Sequence, residues 1–145
     1  LITRMGALGY VPVHLYATVF LADGYRLAGE YEKAREKAKE ALEMAERSKS
    51  RPLIGWARRI LGEATLQGNP HESGAHFEKA ISIAGEIKAE NDLALAYSGM
   101  GRYYKQQGNT EQARDYLTKA LEIFERLGTL IEPDKVRKEL AELPQ

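Results

Sequence analysis

The chain has 145 residues, 43% apolar and 29% charged, with 21 Lys plus Arg matched by 21 Asp plus Glu and no cysteine. That composition is enough for one globular domain over 1–145 with a continuous core, and the neutral balance lacks the basic excess of a nucleic-acid or anionic-membrane binder. The lack of cysteine removes disulfide scaffolds and thiolate chemistry and fits a reducing, cytoplasmic setting.

The opening "LITRMGALGYVPVHLYATVF" is the most apolar stretch, but Arg4, Gly6, Gly9, Pro12 and His14 interrupt it. It falls short of the roughly 20 apolar residues of a bilayer span and has no charged start and cleavage site of a leader. Ile2, Met5 and Leu8, at three-residue spacing within Leu1 to Tyr10, read as the remnant of a preceding helix. A start at Leu1 reads as a fragment of a larger protein, and apolar surface left open at that end would favour a homodimer.

Three corners follow: "LAGEYEKA" with Gly29, "LQGNPHES" with Gly68 and "QQGNTEQA" with Gly108, 39 and 40 residues apart. Self-similarity at such a period marks a stacked array. A glycine just past a helix can take the left-handed conformation that closes the last turn. Asn69 and Asn109 then stand in the capping slot of the next helix, with Glu72 and Gln112 placed to reach back and Pro70 at a first helical position; Glu30 is a poorer cap. Before the third corner Tyr97, Met100, Gly101 and Tyr104 keep helical spacing, and beyond it Ala113, Leu117, Ala120, Leu121 and Phe124 share one face. Each unit is a helical hairpin whose apolar faces need neighbours.

These residues resemble the tetratricopeptide repeat. The third unit has its aromatic, glycine and tyrosine positions at Tyr97, Gly101 and Tyr104, then the small, large, small pattern at Ala113, Leu117 and Ala120. The first unit offers Leu21, Ala22, Tyr25, Gly29, Tyr31, Ala34, Ala38 and Ala41. The second offers Ile60, Leu61, Ala64, Gly68, Ser73, Phe77 and Ala80, with Trp56 one place early and Ser73 where an alanine is usual. The resemblance implies an all-α fold, three antiparallel hairpins (about 15–50, 51–91 and 92–128) in a right-handed α-solenoid closed by a capping helix at about 133–143. In that helix Val136, Leu140 and Leu143 would face inward, Ile131 would staple Val136, and Lys135, Arg137, Lys138, Glu139 and Glu142 would face water. The long repeat also resembles C-terminal arrays of bacterial nucleotide cyclases and regulatory ATPases.

No catalytic constellation is visible. In "HESGAH" the two histidines, His71 and His76, are five apart, about 140° around a helix, rather than the four that put both on one face for zinc. Gly99 and Gly101 lie inside a helical pattern and read as close-packing positions. Carboxylates alternate with lysine and arginine as on a solvated face. Neither cofactor nor metal is implied, and Trp56 reads as packing.

By the family's register, partner contacts fall on the first helix of each hairpin: Tyr16, Val19, Asp23 and Arg26; Gly55, Arg58, Gly62 and Thr65; Leu95, Ser98, Arg102 and Lys105. Gly55 and Gly62 either widen the groove or allow close helix packing. Arg26, Arg58, Arg102 and Lys105 outnumber Asp23, so the stripe is expected to be locally basic and to favour an acidic peptide or C-terminal carboxylate. The carboxylate clamp of the family's chaperone-binding branch would fall on Val19, Asp23, Arg59, Leu95 and Gly99, where only Arg59 is basic, so that specialisation is rejected. The resemblance thus implies a non-catalytic protein-interaction module in a signalling or regulatory protein, binding no nucleic acid and no membrane. A ligand- or peptide-responsive sensor and a homo-oligomerisation module are the alternatives.

Overall fold

The amphipathic segments fold as seven helices among residues 13–145, the part that the computed structural model describes. They are α1 (Val13–Leu27), α2 (Tyr31–Arg47), α3 (Arg51–Thr65), α4 (Pro70–Glu86), α5 (Glu90–Gln106), α6 (Thr110–Leu127) and α7 (Glu132–Ala141). Each helix packs on the next, and α1 also touches α3 as α3 touches α5, which is the contact order of an α-solenoid. The proposed remnant helix at Leu1 to Tyr10 lies outside the described residues. No helix among the described residues is long and apolar enough to cross a membrane.

The first and third corners close as their glycines suggest. Gly29 and Gly108 are left-handed, at φ 79° and 77°, and the Glu30 and Asn109 amides donate back to the Tyr25 and Tyr104 carbonyls, five residues earlier. The Asn109 side chain accepts from the Gln112 amide at 3.1 Å. The second corner differs. There the Asn69 amide reaches Thr65, four residues earlier, and Gly68 is not among the left-handed residues. This corner is one residue shorter, so positions counted back from Gly68 fall one place too early on α3. Asn69 makes no side-chain cap, and Glu72 pairs instead with Arg35 at 3.5 Å.

With that residue restored, Ala22, Gly62 and Gly101 are equivalent on the first helices, and so are Ala38, Phe77 and Leu117 on the second. Their sizes are complementary. A Cβ on Gly62 would lie 2.8 Å from the Phe77 ring, and one on Gly101 would lie 2.6 Å from Leu117. The same trade sets the joints between hairpins. Ile60 shares the first core cluster with the small Ala38, whereas Gly99, its counterpart, faces the large Phe77 at 2.2 Å from an added Cβ. Gly99, Gly101 and Gly62 are thus close-packing positions, so of the two readings open for Gly62 the contacts favour close helix packing. Gly55 is also in contact, with 3.3 Å between an added Cβ and Ile83.

Val136 of α7 and Leu143 just beyond its end are buried against Phe124. Ile131 is 68% exposed and does not staple Val136. Glu139 and Glu142 do not face water alone; they turn toward α5, as described below.

Between hairpins the chain closes through residues 49, 88 and 128, all left-handed: Lys49 at φ 55°, Lys88 at φ 57° and Gly128 at φ 72°. The amides that follow each donate five residues back, to Ala45, Ala84 and Phe124. A side chain in this region costs roughly 1–2 kcal/mol, which glycine avoids. Lys88→Gly, which copies the third joint into the second, should therefore gain about 0.5–1 kcal/mol and raise the melting temperature by roughly 2–4 °C.

Candidate functional site

The first helices carry the candidate site, because their exposed stripe is set by the same register as their core stripe. Corrected by one residue, the second unit contributes Trp56, Arg59 and Glu63, alongside Tyr16, Val19 and Asp23 on α1 and Leu95, Ser98 and Arg102 on α5. Helix α7 and its C-cap continue the series with Glu132, Lys135, Glu139 and Glu142, at the same 3, 4, 3 spacing. A cavity of about 170 Å³ opens where these helices meet, with Arg26, Arg59, Glu63, Ser98, Arg102 and Glu139 in its wall.

Of the residues expected from sequence, Arg26, Leu95, Ser98 and Arg102 meet at this cavity. Tyr16 is 42% exposed at one end of the stripe, and Asp23 holds Arg26 at 2.7 Å. Lys105 lies 3.5 Å from Glu142. Val19 and Thr65 are buried, and the Thr65 hydroxyl donates to the Leu61 carbonyl at 2.7 Å. Arg58 does not face the cavity. It turns toward the second helices, 3.6 Å from Glu46 and 3.2 Å from His76 Nδ1.

The expected basic excess is also corrected. Arg102 sits between Glu63, with which it forms a close ion pair, and Glu139 at 3.3 Å. Burial by itself would lower the Arg102 guanidinium, but the two carboxylates outweigh it and hold the group above its usual range. Arg59 and Glu63 were missed because of the shortened corner, and Glu139 because α7 was read as a cap with a solvated outer side.

Arg59 is the exception in this ion-pair network. It takes part in no ion pair or hydrogen bond among the described residues, and its buried Nε has no partner. Burial pushes its guanidinium below the ordinary value, against the pull of Glu63 and Asp23. The buried Ser98 Oγ, in the wall of the same cavity, also has no partner.

Burial, and then the Arg58 charge, push the His76 imidazole down to about 4. At about pH 5 the folded ring is neutral, while the unfolded chain, with its ordinary value near 6.5, takes up a proton. Stability should therefore fall as the pH drops from about 6.5 to about 4 and be insensitive to this group below that. The loss is about 1 kcal/mol, since the ring is partly solvated and the shift is screened. Urea melts across this range should show that step, and His76→Gln should remove it.

Residues 64–126 match a family model described as Tetratricopeptide repeat, and residues 17–52 match a second model of the same description. The chain is a tetratricopeptide repeat protein. Among solved structures, the array is similar to BtubC (BKLC) from P. vanneervenii, with a TM-score of 0.72 and 26% identity over 95% of this chain. The array spans 55% of that protein's length. No curated protein matches at a significant level. Tetratricopeptide arrays generally mediate protein–protein interactions.

Proposed function

We propose that this array is a non-catalytic interaction module that holds a peptide segment or a neighbouring domain on the concave face of its first helices, within a cytoplasmic signalling or regulatory protein. One observation carries the reading: the cavity of about 170 Å³ lies on that face, is walled by four successive first-position helices, and holds polar groups that the fold leaves without partners. A core defect would be apolar; a recognition surface needs a few placed polar groups among apolar ones. The test uses Tyr16→Ala and Lys135→Glu, which sit at exposed ends of the stripe and should change stability by no more than about 0.5 kcal/mol. Proteins captured by the native chain and lost from this variant, but retained by an outer-helix variant such as Glu122→Arg, support the reading. Equal capture by both variants contradicts it.

A specific observation favours self-association as the second reading. Val13 and Phe20 of α1 are the counterparts of Leu53 and Ile60, which α2 covers, yet they are 73% and 60% exposed. A further helix laid on this face would complete the same joint. A mass that rises with concentration, and that Phe20→Glu returns to the monomer, supports this reading; a monomer at all concentrations rejects it.

A further inference from the structure

We propose that two copies of this chain pair through α1, antiparallel about a twofold axis at the level of Ala22, with Phe20 of each copy seated over the other copy's Gly24. The proposal rests on self-association, the second reading above, and names its geometry.

Val13, Ala17, Phe20, Gly24 and Leu27 recur at spacings of 4, 3, 4 and 3, the seam of paired helices, and all five are exposed. One unit later the counterparts of the first four, Leu53, Ala57, Ile60 and Ala64, are at most 4% exposed. Leu53, Ala57 and Ile60 share a core cluster with Ala38, Ala41 and Ala45 of α2. The α1 stripe is therefore a joint face of the array, and the helices on which α1 packs, α2 and α3, leave it exposed.

Gly24 points to the occupant. It lies inside α1, where glycine weakens a helix relative to alanine. At Gly62, Gly99 and Gly101 an aromatic ring or a leucine fills the space that a Cβ would take, but nothing among the described residues lies within 4 Å of a Cβ at Gly24. Four residues earlier, Phe20 leans on Trp56, ring centroids 6.0 Å apart, and is still 60% exposed. A ring and a notch on one stripe complement a second, antiparallel copy: each Phe20 fills the other copy's Gly24, and each Leu27 covers the other copy's Ala17. The same trade seats Phe77 against Gly62 and Gly99 within the chain. A parallel pair would set Phe20 on Phe20 and leave both notches empty. Charge agrees. Asp23 and Arg26 are the charged residues of α1 and already pair at 2.7 Å, so closing the face strands no charge. The far end of the array exposes Asp134, Lys135, Arg137 and Lys138 on α7. Head-to-tail stacking would press those charges onto the apolar stripe, whereas pairing α1 with α1 closes a dimer. Such a pair removes on the order of 1,000 Å² from water in total, near the lower limit of specific interfaces.

Sedimentation equilibrium of the native chain from about 1 µM to about 1 mM should show a rise from monomer to dimer and no further. Gly24→Ala should weaken the dimer about tenfold or more by filling the notch, and should raise the melting temperature at the dilute, monomeric end because alanine favours the helix. Orientation is read by disulfides, since the chain has no cysteine of its own. A mixture of Ala17→Cys and Leu27→Cys chains under mild oxidation should give linked dimers with one of each. Either variant alone should give none, because like positions lie about 15 Å apart along antiparallel helices. A monomer throughout would overturn both the pairing and self-association, and leave recognition on the concave face untouched. Dimers that Gly24→Ala does not weaken, or that link like with like, would overturn this pairing while self-association stands. Growth beyond the dimer would overturn the closed twofold, and a lower melting temperature for Gly24→Ala would show that the notch is filled within the chain and overturn the pairing as well.

Discussion

Gly99→Ala should destabilise the array by about 1–3 kcal/mol, far more than a glycine-to-alanine change inside a helix normally does. On helix propensity alone the substitution would stabilise by about 1 kcal/mol. Packing reverses the sign, because the new methyl would lie 2.2 Å from the Phe77 ring. Gly62 of the same hairpin packs against this same edge of the ring, at Cε1, Cδ1 and Cζ, with 2.8 Å from an added Cβ to the nearest atom, so both glycines make room for it. Phe77 is wholly buried, and Phe77→Ala alone should cost about 3–5 kcal/mol through the cavity it leaves. The diagnostic experiment combines the changes. Gly62→Ala, Phe77→Ala and Gly99→Ile together rebuild the Ala22, Ala38 and Ile60 arrangement of the preceding joint, so the triple variant should recover most of the loss. Urea denaturation of the single and triple variants measures this directly, and simple additivity of the three losses would show that the joints are not interchangeable.

Arg102→Glu should cost about 3 kcal/mol at neutral pH. The native guanidinium lies between Glu63 and Glu139, whose side chains are 11% and 21% exposed, and removing the cation from such a pair leaves uncompensated charge. Reversal is worse than removal, because it brings three carboxylates together. Like charges raise one another's pKa in the fold, so the folded variant binds protons that the unfolded chain does not, and its stability should rise as the pH falls toward about 5. The native chain should not show that gain. A loss below about 0.5 kcal/mol would mean that the Glu63, Arg102 and Glu139 contact behaves as an ordinary surface pair. The same argument rules out Arg102→Glu as a probe of binding, since lost capture could reflect lost folding.

Much of the fold was legible because local chemistry and tertiary packing agree at the first and third hairpins. Gly29 and Gly108 mark left-handed closures, and the alanine, leucine and phenylalanine positions of α6 match its buried face. The second hairpin was harder to read because a glycine and a Pro-containing start look alike in a corner of either length. Only the hydrogen bond from Asn69 to Thr65 shows that one residue is missing, and that single residue rotates the α3 stripe by about 100°. This exchanges Arg58 for Arg59 and Gly62 for Glu63. The cavity's charge balance was hidden for a different reason. Which carboxylates face Arg102 depends on α7 lying beside α5, a long-range placement on which helical periodicity is silent.

The most direct test of recognition on the first helices uses the absence of native cysteine. A photo-crosslinker is attached through Lys135→Cys on the stripe or Glu122→Cys on the outer helix α6, and the adducts formed by each in lysate are compared by mass spectrometry. The account predicts one set of protein adducts that forms from position 135, is absent from position 122, and is competed away by excess unlabelled chain. The same adducts from position 122, with none from position 135, would place the partner on the outer helices and contradict it.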